Sequence, residues 1–230
     1  IDSMSKDSTK SIMEQFSETH SDFFRVVVLE NPEKTLPFGC NVALKNYSGD
    51  AIVRIDAHAT IPNDFISKNV KILQSGEKVS GGKRPNIIDE QTPWKNMLLA
   101  AEQSMFGSSI AAYRNADKPR YVSSIFHGMY SREVYDTVGF YDTRLARTED
   151  NDMSERISKA GYKLHYDPEI VSYQHTRSTL KGMLRQKYLN GFWIGRTMGI
   201  NPHCFSVYHF VPFVFVLGIL LTSILAVCGH

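Results

Sequence analysis

The spacing of apolar positions changes from segment to segment, and those changes predict helices alternating with strands. Ile12, Met13 and Phe16 recur at helical spacing behind a polar turn rich in N-capping residues. Residues 25–29 form a β-branched run and read as a strand. Residues 31–37 read as a loop, 39–45 as a short helix and 51–55 as a strand. That strand delivers Asp56-Ala57-His58 at its carboxyl end. Pro62 opens a helix with Phe65, Ile66, Asn69, Val70 and Leu73 on one face, and Gly76 stops it. Gly81-Gly82-Lys83-Arg84 reads as a glycine-rich turn, 86–93 as a loop and 94–105 as a helix. Residues 113–120 read as a polar loop, 121–126 as a strand and 132–138 as a helix stopped by Gly139. Met153, Ile157 and Ala160 mark a further helix, with Asp150 or Asn151 as N-cap and Gly161 as stop. Strands at 163–166 and 170–173 and a long helix from Ser178 towards Met198 complete the series.

This alternation predicts an α/β fold with a mainly parallel mixed sheet flanked by helices. Ligands of such sheets bind beyond the carboxyl ends of the strands. Asp2, Asp56 and His58 all fall at such ends and are candidates to share one crevice. A carboxylate and an imidazole two residues apart can hold a divalent cation, Mg2+ or Mn2+, which in turn holds a diphosphate. The same residues also read as an ordinary polar turn. Glu149 and Asp150 can supply a general base, or simply favour the positive end of a helix dipole. Asp152 and Arg156 stand at i, i+4 and support the helix.

The chain carries a formal net charge of +2, too mild to call for a nucleic-acid partner. Its three cysteines have no metal-ligand spacing and suit a reduced, cytosolic face. Composition shifts towards the end. No Asp or Glu follows Glu169, and residues 210–228 hold no charge over about 19 positions, the length of a membrane-spanning helix. Lys181, Arg185, Lys187 and Arg196 precede that run, which places the preceding domain on the cytoplasmic side of the cell membrane. The expected organisation is a catalytic domain at 1–177, an amphipathic membrane-proximal segment at 178–203 and a transmembrane helix at 204–230.

Several segments, in order, resemble the motifs of inverting family 2 glycosyltransferases of the GT-A type. Residues 1–9 (IDSMSKDST) resemble their DGxSxDGT turn, with Ser3 and Ser8 in place of glycines. Residues 37–45 and Arg54-Ile55-Asp56-Ala57-His58-Ala59 resemble their N-x-A helix and DxD strand. Gly139-Phe140-Tyr141-Asp142 and Thr148-Glu149-Asp150-Asn151-Asp152 with Arg156 and Gly161 resemble the vGgFDe and tEDxDlxxRlxxxG segments. The subgroup most resembled is the succinoglycan-biosynthesis glucosyltransferase type, which also has a C-terminal anchor. The resemblance spans about residues 1–195 and implies a nucleotide-diphosphosugar donor, a UDP-sugar by expectation, and inversion at the sugar carbon. It implies that Asp2 contacts the base, that Asp56 serves ribose, diphosphate and metal with His58, and that Asp150 is the catalytic base with Glu149 beside it. It also places Arg185 and Gln186 near the diphosphate. A lipid-linked or other glycan acceptor in polysaccharide synthesis fits the anchor. The absence of QxxRW argues against a processive synthase. The chain reads as a fragment, with the family's first strand expected before Ile1. Two other classes fit the residues alone: a nucleotidyltransferase, or a non-catalytic membrane protein on a degenerate sugar-nucleotide fold.

Overall fold

The computed structural model of the chain describes residues 1–104 and 116–229. The predicted helix end at Met105 and the start of the polar loop at 113–115 lie outside them. Helices α1 (Thr9–Thr19) and α2 (Leu36–Asn46) precede strands β1 (Ala51–Val53) and β2 (Ala59–Thr60). Next come α3 (Phe65–Gln74), β3 (Val79–Lys83), β4 (Asn86–Ile87) and α4 (Pro93–Gln103). Strands β5 (Arg120–Val122) and β6 (Met129–Ser131) lead into α5 (Arg132–Val138) and α6 (Glu149–Lys159). The chain continues through β7 (Leu164–Val171), β8 (Tyr173–His175), α7 (Leu180–Thr197) and α8 (Val211–Val227).

The result is an α/β fold whose five-stranded sheet has the order β1-β6-β3-β7-β5, beside a small sheet β2-β8-β4. The expected parallel character is corrected. Among the described residues the large sheet has one parallel pair, β3 with β7, and its other pairings are antiparallel. The β1–α3–β3 crossover does place two strands in the same direction. A later strand, β6, then slots between them and pairs antiparallel with both. That insertion is a long-range choice that local periodicity does not encode.

The core forms where α5 and α6 cover the sheet. Val79, Val134, Met153, Ile157 and Leu164 are fully or almost fully buried together. Each such side chain contributes about 1.5–3 kcal/mol by leaving water. Ala160, assigned to the same stripe, is exposed, and Gly161 ends the helix at φ +89°. On α3, Phe65 and Asn69 are buried, whereas Ile66 and Val70 stay exposed.

Gly81 and Gly82 are strand residues, not a turn. A Cβ on Gly81 would stand 2.3 Å from Ile125 Cγ2, and one on Gly82 only 2.0 Å from the Ile170 carbonyl oxygen. They are glycines because neighbouring chains approach so closely. Residues 25–29 do not form a strand. Beside them, Asp2 donates its N–H to the Leu29 carbonyl and forms an isolated parallel bridge with Glu30. The two expected strands at 163–173 are one continuous strand, β7, followed by the short β8.

The expected transmembrane helix at 204–230 finds no support in the structure. Two short 3-10 turns, Pro202–Cys204 and Val207–Phe210, use up the approach to α8, leaving it 17 residues. At 1.5 Å per residue that is about 26 Å, against a hydrocarbon core of about 30 Å. Among the described residues no helix is long and apolar enough to cross a membrane.

Candidate active site

Sheet register assembles the site. Val53, the last residue of β1, pairs with Met129, the first of β6. The chain leaving β1 therefore meets the chain entering β6, and Asp56 meets His127. His127 Nε2 lies 3.5 Å from the Asp56 backbone nitrogen and 3.8 Å from Asp56 Oδ2. Its other ring nitrogen lies 3.0 Å from Ser172 Oγ, just past the end of β7. His127 is buried and sits at φ +50°, a conformation that non-glycine residues seldom adopt. Arg54 completes the cluster: Nε is 3.1 Å from Asp56 Oδ1, and Nη1 is 3.3 Å from Glu149 Oε1. Burial alone would raise the Asp56 pKa; His127 and Arg54 overcome it and hold the carboxyl at about 2. Burial also works against the Arg54 cation, yet Asp56 leads the charges that raise its pKa.

Glu149 and Asp150 open α6, whose N-cap position is Thr148, two or three residues before the cap expected at Asp150 or Asn151. Thr148 precedes the helix but does not cap it, because its hydroxyl is 2.7 Å from Thr197 Oγ1 on α7. The two carboxylates then diverge in environment. Glu149 is 3% exposed, and its Oε2 has no hydrogen-bond partner. Burial, and after it the charge of Asp150, push its pKa up to about 8 despite Arg54. Asp150 is half-buried and lines a cleft with Arg54, Phe126, His127, Tyr130 and Tyr141. One of its oxygens accepts the Asn151 N–H at 2.9 Å. Asn41 on α2 fixes the Tyr141 backbone from both sides, donating to its carbonyl at 2.9 Å and accepting its N–H at 2.8 Å. The remnant of the N-x-A helix thus holds one wall of the cleft.

His58 faces a neighbouring cleft, lined also by Asn86, Gln174, Arg177 and Gln186. The small sheet sets it there, since Ala59 pairs with Gln174, whose side-chain amide lies 3.3 Å from His58 Nε2. Burial lowers the His58 pKa, and Arg177 and Arg84 lower it further. Gln186 joins this cleft, whereas Arg185 is exposed and lines neither. Asp2 also lines neither. Its carboxylate accepts the Ser5 hydroxyl at 2.5 Å, which lowers its pKa, while its backbone is tied to Leu29 and Asn31. The structure therefore gathers Asp56, Glu149 and Asp150 around Arg54, sets His58 and Gln186 together next door, and leaves Asp2 and Arg185 apart.

Among the described residues no three acidic, histidine or cysteine side chains cluster as a ready-made metal site. Asp56 is held ionised and burial lowers the His58 pKa, so each side chain is in the form that binds a divalent cation. Such cations commonly take few protein ligands and complete their shell with substrate phosphates.

Sequence reasoning gave no role to Arg54, although its charge at the end of a half-buried strand was a signal. It missed His127, Ser172 and Gln174 entirely. They reach the site through strand pairing and carry no local motif.

The architecture is a GT-A-like fold. The mannosyltransferase PcManGT of Pyrobaculum calidifontis, solved with GDP-Man and Mn2+, superposes with a TM-score of 0.60 at 21% identity, covering 92% of this chain and 56% of its own. Staphylococcus aureus TarS gives 0.52 at 15% identity, covering 87% of this chain and 55% of its own. The sequence matches the Glycosyl transferase family 2 description over residues 1–139, and the chain belongs to that family of glycosyltransferases. Among curated relatives, the dolichyl N-acetyl-alpha-D-glucosaminyl phosphate 3-beta-D-2,3-diacetamido-2,3-dideoxy-beta-D-glucuronosyltransferase of Methanococcus voltae is 25% identical over 98% of this chain and 71% of its own length. Succinoglycan biosynthesis protein ExoA of Rhizobium meliloti is 24% identical over 78% of this chain, which spans 54% of its length.

Proposed function

We propose that this chain carries the catalytic centre of an inverting glycosyltransferase. It moves a sugar from a nucleotide-diphosphosugar to a hydroxyl of a lipid-linked or other glycan acceptor. One observation carries the reading: Asp150 and Arg54 line the same cleft, and Arg54 pairs with Asp56 at 3.1 Å. A carboxylate suited to the acceptor and a carboxylate suited to the donor thereby lie at one cation.

In this reaction the acceptor oxygen attacks the anomeric carbon, and its proton passes to Asp150. The bond to the diphosphate breaks with inversion, and the leaving nucleoside diphosphate takes the electron pair. Glu149, buried behind Asp150, holds Arg54 and is too enclosed to meet substrate. Asp56, His58 and Gln186 bind the donor's diphosphate end. A divalent cation held by Asp56 and His58 together with the donor would neutralise charge growing on the leaving group. Asp2, beside the first loop, remains the candidate for the nucleotide base.

A membrane location and a lipid-linked acceptor are supported by the exposed, apolar α8. They are also supported by the Methanococcus relative, whose name specifies a dolichyl phosphate sugar. The basic residues between Arg177 and Arg196 favour the anionic, cytoplasmic leaflet. The test offers a panel of sugar nucleotides to the full protein with membrane acceptors. Sugar-dependent release of nucleoside diphosphate is expected. Release of pyrophosphate from a nucleoside triphosphate and a sugar phosphate would replace this reading with a nucleotidyltransferase.

A further inference from the structure

Helix α7 is already packed on the domain by one side. Met183 and Thr197 are buried, Lys187 pairs with Glu102 at 2.7 Å, and Asn190 accepts a hydrogen bond from Arg147 at 3.2 Å. Its opposite side is apolar and open. Leu180, Leu184, Tyr188 and Phe192 are 45%, 59%, 71% and 49% exposed. With 3.6 residues per turn these four fall within an arc of about 120°. Gly191 and Gly195 lie inside the same arc, and a Cβ on either would meet nothing within 4 Å. Arg185 and Arg196 line one border of the arc and Lys181 falls just inside it, and all three are exposed. A second apolar face, flanked by cations, on a helix whose first face is satisfied calls for a second environment.

We propose that this outer face of α7 docks on an anionic lipid bilayer, in the plane of the headgroups. The proposal deepens the reading of a membrane-proximal transferase and rests on it for the location. Two observations select lipid over a protein partner. The next helix, α8, is apolar on every side and has no buried residue, so it suits a medium that surrounds it and not a groove that covers one face. The chain after Glu169 carries only positive charges among its ionised side chains, which complements anionic headgroups. Tyr188, the most exposed of the four, has the amphipathic ring favoured at such a boundary.

The test uses the full chain with Tyr188→Trp on vesicles of equimolar phosphatidylcholine and phosphatidylglycerol, and on phosphatidylcholine alone. Brominated acyl chains are expected to quench the added tryptophan on the mixed vesicles beyond any quenching of the parent protein. Leu184→Asp with Phe192→Asp should lower partition into those vesicles by roughly tenfold or more. Both positions are exposed, and unchanged thermal unfolding would confirm that the variant folds. Vesicle-bound protein whose added tryptophan stays unquenched would overturn the proposal, because α8 alone would then hold the membrane. So would a lipid-free dimer that the double variant abolishes at unchanged vesicle partition, because the occupant would then be a second copy. Sugar transfer to a water-soluble acceptor is read in parallel. Its loss with quenching intact would count against the enzymatic reading and leave the docking face standing.

Discussion

Arg54 Nη1 lies 3.3 Å from Glu149 Oε1, joining segments 95 residues apart, while Nε of the same side chain lies 3.1 Å from Asp56 Oδ1. One cation thus serves two carboxylates, and only 3% of the Glu149 side chain is exposed. Removing the cation would leave the partly buried Asp56 carboxylate, held ionised, without its salt-bridge partner and Glu149 Oε1 without its donor. Arg54→Met is expected to destabilise the fold by about 3 kcal/mol. Urea unfolding measures this, and an unchanged midpoint in Arg54→Met would refute the pairing.

The same pairing sets a pH dependence. The Glu149 carboxyl has its pKa pushed up to about 8 by burial and by Asp150, from an ordinary 4.5. The folded state therefore holds this proton more tightly than the unfolded chain does. Its contribution to stability is full below the unfolded value and declines as pH rises through 8. Asp56 behaves in the opposite sense: held at about 2, it contributes above its ordinary 3.8 and loses that contribution as pH falls. Measured from about pH 5 to about pH 9, the parent protein should lose stability relative to Glu149→Gln. A constant difference between the two would contradict the raised pKa.

Gly82 supplies a test of the sheet itself. A Cβ there would stand 2.0 Å from the Ile170 carbonyl oxygen and 2.3 Å from that of Asp167, so the parallel β3–β7 pair would have to separate. Gly82→Ala should cost about 2 kcal/mol or more in thermal or urea unfolding. Gly191→Ala is the control. Its Cβ meets nothing within 4 Å, and a mid-helix alanine should be neutral or stabilising by up to about 1 kcal/mol. Equal effects at the two sites would mean that close strand packing does not explain Gly82.

The sequence made the helices legible and much of the sheet illegible, for a physical reason. Met153 and Ile157 announce the buried face of α6 because helix periodicity is local. Strand β6 is three residues long and sits between β1 and β3 by pairing at long range, so nothing near Met129 reveals it. Asp56, Glu149 and Asp150 could be read from ordered motifs. The pairing of Asp56 and Glu149 through Arg54, and the support from His127 and Ser172, depend on the β1–β6 and β3–β7 registers. Gly81-Gly82 shows the converse error: two glycines look like a turn when their neighbours in space are unknown. The outer face of α7 was legible only as amphipathic; which side packs is a tertiary fact.

Divalent-ion dependence separates the roles of Asp56 and His58. The imidazole is kept neutral by burial and by the nearby Arg177 and Arg84. His58→Ala should raise the Mn2+ concentration needed for half-maximal transfer by about tenfold, in the range typical of lost ligand support. Asp56→Asn should raise it further and weaken donor binding as well. Superimposable metal titrations of parent and His58→Ala would remove His58 from the donor site.

The catalytic assignment turns on Asp150. Its neighbour Glu149 is buried and held by Arg54, while Asp150 itself lines the open cleft beside Tyr130 and Tyr141. Asp150→Asn keeps the shape and the hydrogen-bond acceptor but cannot take a proton. Turnover should fall by about 100-fold to 10,000-fold, the usual contribution of a general base, with little change in donor affinity. Glu149→Gln should affect stability more than turnover, because Glu149 is enclosed. A profile in which Glu149→Gln abolishes transfer while Asp150→Asn turns over like the parent would reverse the two roles. Measuring kcat and donor affinity separately for both variants decides between them, since a positioning defect alters both parameters and a missing base alters kcat.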